Sequence, residues 1–173
     1  MRNRATQVTA MMIGLTCFAH VGKAADCEVN RIFEALATPL DGLKSIERAA
    51  TDSDATEGGV WNIYPNAGGQ VKNIVRVDIG ENYNIETRLS IVDQSTWGIS
   101  RTFTYYLNPY TSAPFAIRRA DANYYFYCDG NAETIWNSSE EDNAQYAKDA
   151  LELKAELLNA ADIADIIQGT KIK

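Results

Sequence analysis

Histidine occurs once in this sequence, cysteine three times and proline four times. Its most apolar stretch, from Ala5 to Gly22, is softened by Thr9, Gly14, Thr16 and His20. A membrane span needs about 20 solidly apolar residues, which this stretch does not supply. Arg2 and Arg4 stand before it, and Gly22 and Ala24 close it with small side chains. A basic start, a short apolar core and small residues at a cleavage position are the parts of a secretory signal. The reading is therefore that residues 1–24 are removed, that residues 25–173 form one domain, and that the protein is periplasmic or secreted with no stable membrane anchor.

Cleavage deepens the shortages. His20 and Cys17 leave with the signal, so the exported chain has no imidazole and only Cys27 and Cys128. Nucleophilic sites that use histidine as base cannot then be built, nor can the usual zinc sites of Cys and His. In an oxidising compartment the two remaining sulfurs are expected to pair. Such a bond would close a loop of about 100 residues, worth up to about 4.7 kcal/mol in the chain-entropy model. Positive charge is also scarce: losing Arg2, Arg4 and Lys23 takes 16 basic residues to 13 against 23 acidic ones, and the formal charge from −7 to about −10. Phosphate binding requires a positive field, so no nucleic-acid partner is expected.

The remaining chain, about 149 residues, suits one domain. Val29, Ile32, Phe33 and Leu36, then Leu40, Leu43 and Ile46, recur at helical spacing with Pro39 between them. This predicts two N-terminal helices separated by a break. After the polar segment 51–59 the period becomes two, with strands expected at Val60–Tyr64, Val71–Ile79, Tyr83–Ile91 and Trp97–Tyr105. Three-residue turns at Gly80–Asn82 and Asp93–Ser95 would set Val77 opposite Ile85 and Arg76 opposite Glu86, then Ile91 opposite Trp97 and Leu89 opposite Ile99. Later strands are expected at about Phe115–Arg119 and Asn123–Cys128, with a short one after the turn Asp129–Gly130. Ser139, Asp142 and a succession of Ala, Leu and Ile then predict a long helix ending at Gly169. The plan is α+β: N-terminal helices, an antiparallel meander of five to seven strands, and a long C-terminal helix packed on the sheet.

The candidate binding residues are mostly aromatic. Tyr124, Tyr125, Phe126 and Tyr127 run into Cys128, with Trp136 beyond, and alternation puts Tyr125 and Tyr127 on the face away from Cys128. Tyr and Trp are favoured where proteins grip partners, so Tyr125, Tyr127 and Trp136 form a candidate strip; packing around the disulfide is the plainer role. Arg101 occupies an apolar position of its strand, where a guanidinium must be paired or serve an anionic ligand. Arg118, Arg119 and Asp121 make a small charged cluster in which Arg119 could receive a carboxylate. Asp52, Asp54 and Glu57 miss the calcium-loop pattern, which would require Gly where Glu57 stands and Glu where Ile63 stands. No metal site, cofactor or catalytic residue is expected from these patterns.

The leading expectation is an exported, non-catalytic binding protein that meets a protein partner in the envelope or outside the cell, as an inhibitor or immunity protein against an envelope-directed enzyme. One alternative is a carrier that encloses an apolar or amphipathic small molecule between sheet and helix, with Arg101 on its acidic head group. Another is a carboxylate-based glycoside hydrolase drawing on acids at turns, among them Glu81, Asp93, Asp121 and Asp129.

Overall fold

The computed structural model describes residues 29–109, 116–133 and 140–169. Residues 1–24, expected to be a signal segment, and Cys27, Trp136 and Ser139 lie outside the described residues. The chain is α+β: helix α1 (Val29–Ala37) precedes strands β1 (Ile46–Ala50), β2 (Gly59–Pro65), β3 (Val71–Ile79), β4 (Tyr83–Ile91), β5 (Thr96–Tyr106), β6 (Ile117–Cys128) and β7 (Asn131–Glu133). Helix α2 (Glu140–Asn159), one 3-10 turn at Ala161–Ile163 and helix α3 (Ala164–Gly169) follow. All seven strands form one antiparallel sheet in sequence order. The meander keeps to this sheet through β5 and β6.

The two sheet faces have separate cores. On one, Trp61, Ile63, Ile74, Leu89, Trp97 and Ile99 pack beneath Ala150, Leu157, Ile163 and Ile166 of the C-terminal helices. On the other, Ile32 and Leu36 of α1 close over Phe126 and Cys128. Gly98 seats that helix: a Cβ there would overlap Ile32 Cγ2 and press Leu36 Cδ1 at 3.0 Å. In a strand, Gly→Ala ordinarily stabilises by stiffening the unfolded chain. Here the sign reverses, and Gly98→Ala is expected to cost about 1–3 kcal/mol as the helix is pushed off the sheet. Urea denaturation checks this; an unchanged midpoint would refute the seating.

Three sequence expectations are corrected. The second N-terminal helix is instead the edge strand β1: the chain turns at Gly42, whose φ of 77° breaks the helical run, and Ile46 enters the sheet opposite Ile63. The first central hairpin is shifted by one residue, because Gly80 N–H donates to Tyr83 O at 2.8 Å and leaves a two-residue loop, Glu81–Asn82. Ile85 therefore opposes Asp78, Val77 opposes Glu86 and Arg76 opposes Thr87. The second hairpin has the expected register, with Ile91 opposite Trp97, Leu89 opposite Ile99 and Ile85 opposite Phe103. Finally, the C-terminal helix is interrupted at Ala160, whose extended ψ of 127° ends α2. Asp162 then accepts hydrogen bonds from the Thr51 amide (2.8 Å) and hydroxyl, which ties the break to the end of β1.

Candidate functional site

The one-residue shift of the first hairpin decides what lies beneath α2. Arg76, Thr87 and Arg101 sit in one cross-strand row on the helix-covered face, with Trp61 and Asn123 continuing it on either side. Arg76 is buried and committed: its Nε and Nη2 bond Asp78, its Nη1 reaches Asp52 Oδ1 at 3.3 Å, and its guanidinium lies 5.0 Å over the Trp61 ring. Burial pulls its pKa down, but Asp78 and Asp52 outweigh that and hold it above the ordinary arginine value. Arg101 differs. Its guanidinium lies 5.3 Å over Phe103, and its Nε is buried with no hydrogen-bond partner among the described residues. It lines an open cleft of about 300 Å³ with Asp52, Asp54, Arg76, Asp78, Thr87 and Glu156.

Tyr125 and Tyr127 lie on the face away from Cys128, as alternation requires, and that face is the one the C-terminal helix covers. Both are half-buried against the core. Tyr127 stacks on Trp97 with ring centroids 4.7 Å apart, and Tyr125 on Tyr146 at 5.1 Å. They are packing residues here, not an open strip. Two exposed aromatic side chains flank the other core: Phe33, 51% exposed, meets Tyr124, 38% exposed, at 6.2 Å. Arg119 is exposed and its Nε contacts Asp121 at 2.6 Å; that bond and the Asp121 charge raise its pKa. Cys128 is disulfide-bonded, while Cys27 and Trp136 are not among the described residues.

The feature that sequence reasoning missed is the edge of β6. Pairing with β5 runs unbroken along this strand from Cys128 to Arg119 and, after the register shift at Tyr105/Tyr106, ends at Ile117, whereas among the described residues β7 pairs with Phe126–Cys128. Where β7 ends, Tyr146 takes over: its hydroxyl accepts from Phe126 N–H at 3.0 Å and donates to Tyr124 O at 2.8 Å. Those two groups show which residues turn their backbone outward. By the period of two, Ala122 and Ala120 do the same, up to the register shift at Arg118. Among the described residues nothing pairs with them. Their side chains are exposed, as are those of Ile117, Arg119 and Asn123.

Comparison with family models, curated proteins and solved structures finds no match. The site must therefore be read from its own chemistry. Among the described residues no helix is long and apolar enough to cross a membrane, and no group of three or more His, Cys, Asp or Glu could hold a metal ion.

Proposed function

We propose that this chain is an exported, non-catalytic binding protein that takes an extended segment of a protein partner along the edge of β6, with inhibition of an envelope-directed enzyme as its concrete role. The observation that carries the reading is the outward-facing backbone of Ala120 and Ala122, with which none of the described residues pairs. Exposed strand edges are normally short, covered or blunted, because they invite another strand. Strand addition draws its affinity from main-chain hydrogen bonds and its specificity from alternate side chains.

The side chains beside this edge define the partner. Ile117 is 63% exposed, as is Leu107 just beyond the end of β5, and Tyr105 is 39% exposed. Arg118 and Arg119 make this corner locally positive on a chain whose formal charge is −7. An extended segment that alternates apolar with acidic residues fits both properties, and a charge opposed to the corner would speed its approach.

The other readings have less to rest on. The space between sheet and C-terminal helices is filled by Trp61, Trp97, Leu89 and Ile99, which leaves an apolar cargo without an evident berth. Of the turn carboxylates, Asp93 accepts from the Ser95 amide at 3.0 Å and Asp121 is bound by Arg119, both structural roles.

Proline separates folding from binding at this edge, since it is tolerated where a strand N–H faces outward and disrupts where the N–H bonds a neighbour. Ala122→Pro is expected to melt like the parent and to weaken the partner at least about ten-fold in Kd, whereas Asp121→Pro, whose N–H faces β5, should unfold the hairpin. The partner is obtained by cross-linking in the native envelope and identified by mass spectrometry. Equal capture by the parent and Ala122→Pro, or recovery of no protein at all, would overturn the proposal.

A further inference from the structure

We propose that the β6 edge of the resting protein is occupied by the same edge of a second copy, the two strands running antiparallel about a two-fold axis at Ala120, so that a partner segment must displace a self-paired dimer. Self-pairing would regulate the edge read above as open to strand addition, and rests on that reading.

The open stretch has a defined length. β7 pairs with Phe126–Cys128, and the Tyr146 hydroxyl holds Phe126 N–H and Tyr124 O. Beyond them, among the described residues, the edge is open from Asn123 to the end of β6 at Ile117. Ala120 is the midpoint of residues 117–123. A two-fold contact sets one surface against its own copy. With the axis at Ala120, each open run lies along the other from end to end, and the capped end of neither strand is needed.

The backbone permits few other registers. In an antiparallel ladder, residues whose amide and carbonyl face outward must stand opposite one another. With Ala120 and Ala122 as those residues, the axis can fall at Ala120, Asp121 or Ala122. At Ala122 it would set Ala120 against Tyr124 of the second copy, whose carbonyl already accepts from Tyr146. At Asp121 it would set two like carboxylates directly opposite, which is destabilising. At Ala120 the two Ala120 amides and carbonyls bond each other reciprocally, and Arg119 of each copy stands opposite Asp121 of the other.

Charge therefore agrees with length. The Arg119 and Asp121 side chains are 71% and 43% exposed and already meet at 2.6 Å within one chain. Two residues apart on one strand, they share a face, so across the axis four charges alternate in sign. Ala120 and Ala122 point to the opposite face, where methyl groups leave room for the second strand. A contact this short falls well below the area of stable dimers, which predicts a Kd on the order of 100 µM and a pairing that a better-matched segment displaces.

Sedimentation equilibrium of the purified protein up to about 1 mM tests this, with a reversible monomer–dimer equilibrium expected for the parent. R119D and D121R each place like charges opposite one another and should weaken self-association at least about ten-fold. An equimolar mixture of the two variants should form the dimer again, because acidic pairs then face basic ones. The double variant R119D/D121R should pair like the parent, since exchanging the two charges preserves both cross-strand contacts only when the axis lies at Ala120. A parent that stays monomeric, single variants that pair as tightly as the parent, or a double variant that stays monomeric would overturn the proposal. No partner protein enters the experiment, so a monomeric parent would leave partner capture at this edge standing, whereas a dimer that captures no partner would sink only the function proposed above.

Discussion

Trp97→Ala is expected to lower the unfolding free energy by about 3–5 kcal/mol, the range for removing a buried aromatic side chain. Trp97 is 1% exposed and forms the middle layer of a stack. Tyr127 lies against one side at 4.7 Å, and the Lys154 amine is 4.3 Å from the ring centroid. Burial pushes the Lys154 pKa down, because its ammonium has been taken out of water. The electron-rich indole face is what offsets that cost. Truncation therefore removes apolar contact and strips a desolvated cation of its compensating ring. Trp97→Phe keeps a ring and should recover more than half of the loss. Urea denaturation of the three proteins checks the ordering. A loss below about 1 kcal/mol for the alanine variant would mean that the stack is not central to the core, since such values are typical of replacements outside it.

How much of this was legible beforehand depended on turn length more than on apolar pattern. Asp93–Ser95 was read as a three-residue turn, and its closing bonds to Thr96 O agree, so every pair of the second hairpin followed. At Gly80–Tyr83 the chain uses two residues where three were counted. A slip of one residue sends each side chain to the opposite face. Arg76 and Asp78 consequently form the ion pair beneath α2, and Val77, expected opposite Ile85, lies on the other face. The mistaken second helix has a similar cause: Leu40, Leu43 and Ile46 keep a spacing of three, but spacing says nothing of Gly42, which reverses the chain between them. The β6 edge left no trace in the residue pattern at all. Its character lies in backbone groups with which no described residue pairs, and which strand ends beside them is a property of the sheet as a whole. The nearest signal was the run Ala120, Asp121, Ala122, Asn123, too small and polar to be covered on either face.

Arg88→Leu is the second change expected to act strongly, through the attachment of α1. Arg88 is buried under that helix. Its Nη2 donates to Ala35 O at 2.8 Å and to Asn73 Oδ1 at 3.1 Å, and its Nε donates to Ser90 Oγ at 3.1 Å. Burial lowers its pKa, and the charge of Glu86 recovers part of that. Ala35 O is one of the last four carbonyls of α1, which have no acceptor role within the helix and need a donor from elsewhere. Arg88 thus caps the helix end while pinning it to β3 and β4. Leucine would leave one or two buried acceptors short of a donor, at about 1–3 kcal/mol each, for a loss of roughly 2–4 kcal/mol. Lysine supplies a charge but cannot reach Ala35, Asn73 and Ser90 as a planar fork does, so Arg88→Lys should recover less than half. Hydrogen exchange distinguishes capping from general destabilisation: the α1 amides should lose protection well before those of β4 and β5. Uniform loss across the sheet, or full protection of α1 in the leucine variant, would show that the helix is held by Ile32 and Leu36 alone.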